Sequence, residues 1–174
     1  KYNNFVNDSL KTNFSAGRVS ICRDFSGINT NNSKLTLGIN PGASYGSAKR
    51  WYPKEFAEVA TVLSSKYEVI IFGGSGEKNI AEDIEKLLIK KGVTNYKNLV
   101  GNTNIQELIN IISSLDLFIT GDSGPMHIAA SFQVPTVAIF GPTNDDETSQ
   151  WRVDKSIIVK KNLDCQPCMK RTCP

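Results

Sequence analysis

The chain has 174 residues, 40% of them hydrophobic, which suits one ordinary domain with a real core. Its 20 Lys and Arg against 17 Asp and Glu leave a net charge of +3, and the cations are dispersed rather than drawn into a stripe, so no nucleic-acid partner is expected. No apolar run approaches the roughly 18 residues that span a bilayer, and no charged-then-apolar leader opens the sequence, so a cytoplasmic protein is expected.

Residues 1–34 are polar, with Asn at 3, 4, 7, 13, 29, 31 and 32, and read as a connector carrying a short helix near 2–10. From Leu35 the character changes to short apolar runs that alternate with amphipathic segments. The spacing predicts strands over 35–39, 68–72, 98–100, 115–120, 136–140 and 157–160, and helices over 53–65, 78–91, 105–114 and 125–132. Each parallel crossover needs a returning segment long enough to be a helix, so the pattern implies an α/β fold: a Rossmann-like parallel sheet with helices on both faces. Ligands of such sheets bind outside the carboxyl ends of the strands, which directs attention to four loops.

The first runs from Asn40 to Tyr52 and places Ser44, Lys49 and Arg50 just before a helix that opens at Pro53. Either cation could reach phosphate oxygens, with Ser44 adding a hydroxyl; the bland alternative is a solvated loop whose Trp51 packs under the helix. The second, Gly73-Gly74-Ser75-Gly76-Glu77, does not follow the G-x-x-x-x-G-K-[ST] pattern of a phosphate-binding loop, and a carboxylate there would repel phosphate. Its carboxylate suits ribose hydroxyls, or simply the N-terminus of the following helix.

The third, Gly121-Asp122-Ser123-Gly124-Pro125-Met126-His127, is the most informative. Asp122 or Ser123 can cap a helix, Gly124 allows close backbone approach, and Pro125 suits a first helical turn, so free amides and the positive dipole end would face a phosphate. Against this stands an ordinary capped helix with His127 as a packing residue. The fourth loop, Gly141 to Asp146, is rich in hydrogen-bonding side chains, and its paired Asp145 and Asp146 are more in keeping with solvation than with a metal.

Three of the four cysteines, Cys165, Cys168 and Cys173, fall in the last ten residues, while Cys22 stands alone. Zinc normally takes four ligands and the only histidine belongs to another motif, so a tail ordered by thiols or a disulfide is expected in preference to a metal or redox centre. The domain proper is assigned to residues 35–164 and the Cys-rich tail to 165–174. The first residue is Lys1 and the last lie inside the cysteine patch, so a fragment of a longer polypeptide is expected.

Taken together, the segments NPGASYGSAKRWYP, FGGSGE, GDSGPMHIAAS and FGPTN resemble, in order and spacing, the C-terminal half of the bacterial ADP-heptose:lipopolysaccharide heptosyltransferases. The AKRW loop and the DCQPCMKRTCP tail are nearer to the type II than to the type I members, and the likeness covers residues 35–174. The resemblance implies a GT-B enzyme of two Rossmann-like domains, inverting and metal-independent, that transfers L-glycero-D-manno-heptose from ADP-heptose to the lipopolysaccharide inner core. It implies no cofactor beyond the donor substrate, and a general base and acceptor surface in an N-terminal domain outside this chain.

By that similarity Lys49 neutralises the diphosphate and stabilises the leaving group, Ser44 assists it, Glu77 binds ribose, and Thr103 lies near adenine. Asp122 contacts the heptose, and Ser123, Gly124, Pro125 and His127 form the diphosphate pocket. The match is firm at Lys49, Asp122, Gly124 and His127 and looser at Ser44, Glu77 and Thr103. The resemblance further implies a monomer working at the inner face of the inner membrane, with peripheral membrane association and the lipopolysaccharide core as acceptor.

Two other readings compete. The chain alone is an ADP-sugar-binding module that catalyses nothing, or a nucleotide-sugar epimerase-like domain. A dinucleotide-dependent dehydrogenase is disfavoured, because the loop after the first strand offers only Gly42 and Gly46 of the required glycine fingerprint.

Overall fold

A computed structural model describes residues 2–21, 34–151 and 153–173; Cys22 lies outside them. The elements run α1 (Tyr2–Leu10), β1 (Leu35–Asn40), α2 (Pro53–Leu63), β2 (Tyr67–Ile71), α3 (Lys78–Lys90), β3 (Tyr96–Asn98), α4 (Ile105–Ile112), β4 (Leu117–Gly121), α5 (Gly124–Ser131), β5 (Thr136–Phe140), α6 (Asp145–Thr148) and β6 (Ser156–Lys160). The six strands form one sheet in the order β3-β2-β1-β4-β5-β6, and every pairing is parallel. That is the Rossmann order, with its switch point between β1 and β4.

The pleat explains how one run of apolar residues serves two faces. In β2, Val69 and Ile71 point to one side, where they meet Phe56, Ala57 and Ala60 of α2 and Ala81, Ile84 and Leu88 of α3. Ile70 and the following Phe72 point to the other, against Ile112 of α4 and Ala129 of α5. Phe72 and Phe118 meet edge to face there, with ring centroids 6.0 Å apart. The expected helices on both faces are therefore present.

Element boundaries differ from the sequence reading where apolarity and pairing part company. The third strand lies at 96–98 rather than 98–100: Val100 is buried, but its N–H donates to the Asn98 side chain in a turn instead of joining the sheet. Leu115 likewise packs in the core ahead of β4 without entering the strand. Helix α2 stops at Leu63 because Ser64 and Ser65 turn their hydroxyls back to the carbonyls of Thr61 and Val62. The short α6, capped by the Asn144 side chain on the Asp146 N–H, lies in and just beyond the segment read as the fourth loop.

Helix α1 buries none of its residues. The stretch after it touches the domain through the Trp151 indole N–H on the Gly17 carbonyl and an Arg18–Asp154 ion pair, both at the surface. Among the described residues no helix is long and apolar enough to cross a membrane.

Candidate functional site

The carboxyl ends of β1, β2, β3 and β4 open onto a cleft of about 750 Å³. Ser44, Lys49, Glu77, Thr103, Asp122, Ser123, Gly124, Pro125 and His127 all line it, so the nine residues singled out from the sequence share one site. They come from four loops in the spatial order β3, β2, β1, β4. Three strand spacings separate β3 from β4, about 14 Å along the sheet edge.

The β4 end is polar. The Lys49 ammonium donates to Asp122 Oδ2 at 2.7 Å and to the Asp122 carbonyl at 3.3 Å. Thr143 from the loop after β5 donates to the same Oδ2 at 2.6 Å, and Thr148 reaches it from α6 at 3.3 Å. The Lys49 and Asp122 side chains are only 12% and 6% exposed, so the pair sits in a medium that screens it weakly. Lys49 is thus bound to a carboxylate rather than standing as a bare cation in the cleft.

Ser123 occupies the N-cap position of α5 but makes no capping bond. Its hydroxyl instead accepts from Asn40 Nδ2 at 3.1 Å and lies 3.2 Å from that of Thr120, across the switch point. The capping role read from the sequence for Ser123 or Asp122 is therefore corrected: both side chains are taken by neighbouring strands and loops. That leaves the first turn of α5, which opens at Gly124-Pro125, without a side-chain cap at the cleft.

His127 is exposed toward the cleft, whereas its neighbour Met126 is fully buried with Ala138 and Phe140. Packing therefore falls to the methionine, and the reading of His127 as a core residue does not hold. Arg50, the other cation of the first loop, donates through Nε and Nη2 to the Ala43 carbonyl at 3.2 and 3.1 Å. It braces the loop that carries Ser44. Trp51 also packs against Phe56 of α2, edge to face at 5.2 Å, so the first loop fills its structural and its cleft-lining role at once.

On the β2 side Glu77 accepts the Gly74 N–H at 2.7 Å. Its carboxylate lies where a Cβ at Gly42 would stand, so a side chain at that position would have to displace Glu77. Beyond it the wall becomes less polar. Ile105, two-thirds exposed, and Leu108 line the cleft beside Thr103 and Asn104 at the start of α4. Asn104 and Glu107 cap that helix reciprocally, which holds the wall in place. The cleft thus has an apolar end, a carboxylate in the middle, and an uncapped helix N-terminus with a lysine at the far end.

Sequence reasoning gave Thr143, Thr148, Asn40, Thr120 and Tyr45 no individual role. The abundance of hydrogen-bonding side chains in the fourth loop is the sequence signal that points toward Thr143. In that loop Asp145 is paired with Lys160 at 2.7 Å. Cys165, Cys168 and Cys173 are free thiols, and among the described residues no three His, Cys, Asp or Glu side chains are grouped to hold a metal ion.

The sequence matches the family described as glycosyltransferase family 9 (heptosyltransferase) over residues 8–174. It is 46% identical over 144 residues to lipooligosaccharide heptosyltransferase 2 of Campylobacter jejuni, covering 82% of this chain and 45% of the relative. It is 33% identical over 128 residues to lipopolysaccharide heptosyltransferase 2 of Escherichia coli K12, covering 73% of this chain and 36% of the relative. The solved E. coli ADP-heptose lps heptosyltransferase II superposes with a TM-score of 0.67 at 26% identity, over 90% of this chain and 42% of that one. The chain spans less than half the length of the relatives it matches, as one of the two halves of a GT-B enzyme would. On the family match over residues 8–174 and the 46% identity to a heptosyltransferase 2, this chain belongs to glycosyltransferase family 9, the heptosyltransferases.

Proposed function

We propose that the chain is the donor-binding half of an enzyme that transfers L-glycero-D-manno-heptose from ADP-heptose to the lipopolysaccharide inner core. The observation that carries this reading is the cleft itself. An apolar wall at Ile105 and Leu108 suits a base, the Glu77 carboxylate suits ribose hydroxyls, and the uncapped turn Ser123–His127 beside Lys49 suits a diphosphate.

The reaction would be a single in-line displacement at the anomeric carbon by an acceptor hydroxyl, with inversion. Negative charge grows on the departing ADP as the glycosidic bond breaks. An ammonium and a helix N-terminus at the same end of the cleft would stabilise that charge without a metal. Lys49 begins paired with Asp122. Donor phosphate would draw the ammonium toward itself and release the Asp122 carboxylate to accept sugar hydroxyls. The general base and the acceptor surface are assigned to the partner domain, so this chain alone is proposed to bind donor without turning it over. Catalysis would take place at the inner face of the inner membrane, where a lipid-borne acceptor is met by a monomer that associates only peripherally.

Titration calorimetry of the chain with ADP, UDP and AMP tests the reading. ADP is expected to bind tighter than either, and Lys49→Ala to weaken ADP at least about tenfold, the loss typical of one charge-assisted contact. Equal affinity for UDP, or an unchanged Lys49→Ala variant, would sink it.

A further inference from the structure

The Cys-rich tail packs on the very loops that build the Lys49–Asp122–Thr143 cluster. The Ala48 N–H donates to the Arg171 carbonyl at 3.0 Å, and the Tyr45 hydroxyl donates to the Met169 carbonyl at 2.7 Å. On the other side the Met169 N–H donates to the Pro142 carbonyl at 2.9 Å, and the Gln166 side chain donates to the Gly141 carbonyl at 2.5 Å. Residues 166–171 therefore strap the loop after β1, which carries Lys49, to the loop after β5, which carries Thr143. Gly46 is glycine because the Arg171 backbone lies where a Cβ would stand.

Tyr45 is where this strap meets the cleft. It is half-buried and lines the cleft wall. The Lys49 ammonium lies 4.9 Å from the centre of its ring, and the Arg171 guanidinium carbon lies 5.2 Å from the same centre. A lysine side chain has four rotatable bonds, and the electron-rich ring restricts where its cation settles without neutralising it. A carboxylate alone would hold Lys49 against Asp122. The ring lies against the ammonium in the same position in which Asp122 holds it, and so adds an uncharged contact that keeps the cation beside the cleft.

We propose that Tyr45, backed by the tail at Met169 and Arg171, is a positioning residue for Lys49 and thereby sets affinity for the diphosphate of the donor. The proposal rests on the donor-site reading above and identifies the aromatic ring, more than the hydroxyl, as the working part. Residues 166–171 then belong to the donor site through the loop they brace rather than by contact with ligand.

The test is ADP affinity by calorimetry across a double-mutant cycle, with adenosine as a control ligand that lacks phosphate. Tyr45→Leu is expected to weaken ADP about tenfold, Tyr45→Phe to restore most of that loss, and neither to alter ADP affinity further in a Lys49→Ala background. Adenosine affinity should not move. Arg171→Ala, an exposed position, is expected to weaken ADP about twofold to threefold and gives a readout should Tyr45→Leu fail to fold. If Tyr45→Leu weakened ADP as much without Lys49 as with it, or weakened adenosine equally, the positioning role would be wrong while the donor site stood. If the unaltered chain bound no ADP, the donor-site reading itself would fall.

Discussion

Two lysine–carboxylate pairs at the carboxyl edge of the sheet share a distance and little else. Lys49–Asp122 and Lys160–Asp145 both close to 2.7 Å, yet the first pair is 12% and 6% exposed and the second 38% and 16%. Asp122 follows β4, next to the switch point, and receives two threonine hydroxyls besides its lysine. Lys160 ends the outer strand β6 and meets Asp145 at the start of α6, outside the cleft. Distance alone would rank these pairs as equals. Burial and the number of converging donors say that one is tightly determined and the other is a surface contact.

The largest effect should therefore come from removing Lys49. Lys49→Met leaves Asp122 charged and buried with two neutral donors, and about 3 kcal/mol of stability should be lost in urea unfolding. Adding Asp122→Asn removes the stranded charge, so the double variant is expected to recover most of that loss. The comparison would break if Lys49→Met cost no more than the equivalent change at Lys160.

How far these arrangements were legible in the sequence depends on how far apart their parts lie. The strand at 136–140 was read to the residue because both its faces are covered by packing and its ends are marked by Pro135 and Gly141. The edge strand β3 was displaced by two residues because it pairs on one side only, and Val100 advertises burial rather than sheet pairing. Membership of the cleft was legible for the glycine-rich loops, since strand order brings their carboxyl ends together. The partners within it were not. Thr143 meets Asp122 across 21 residues and Tyr45 meets the tail across 124, and such contacts are fixed by packing and register rather than by any local spacing.

Thr143 offers an intermediate step between the two pairs. Its side chain lies in a residue only 3% exposed and gives one short hydrogen bond to a carboxylate. Thr143→Val keeps the shape and deletes the donor, so a loss of about 1.5 kcal/mol is expected by the same urea assay. The loss should shrink when Asp122 is already Asn, because the bond then joins two neutral groups. A loss unchanged by Asp122→Asn would mean that Thr143 matters through packing and not through the carboxylate.

The smallest effect belongs to Lys160–Asp145, and its sign can be worked out. The Lys160 ammonium holds the Asp145 carboxyl below the ordinary value of 3.8, outweighing burial, with help from the Asp145 backbone N–H. A carboxyl whose folded pKa is depressed binds its proton less readily folded than unfolded. Its contribution is therefore fully present above the ordinary value and is lost as pH falls through the lowered folded one. Because Lys160 is more than a third exposed, solvent screening limits that contribution to less than about 1 kcal/mol. Lys160→Ala should thus be slightly less stable than the unaltered chain near neutrality, and the difference should fade with acid below the ordinary carboxyl range and with added salt. A difference that persists undiminished in acid and in high salt would place the role of Lys160 in packing, and the two pairs would then differ by more than the burial of their charges.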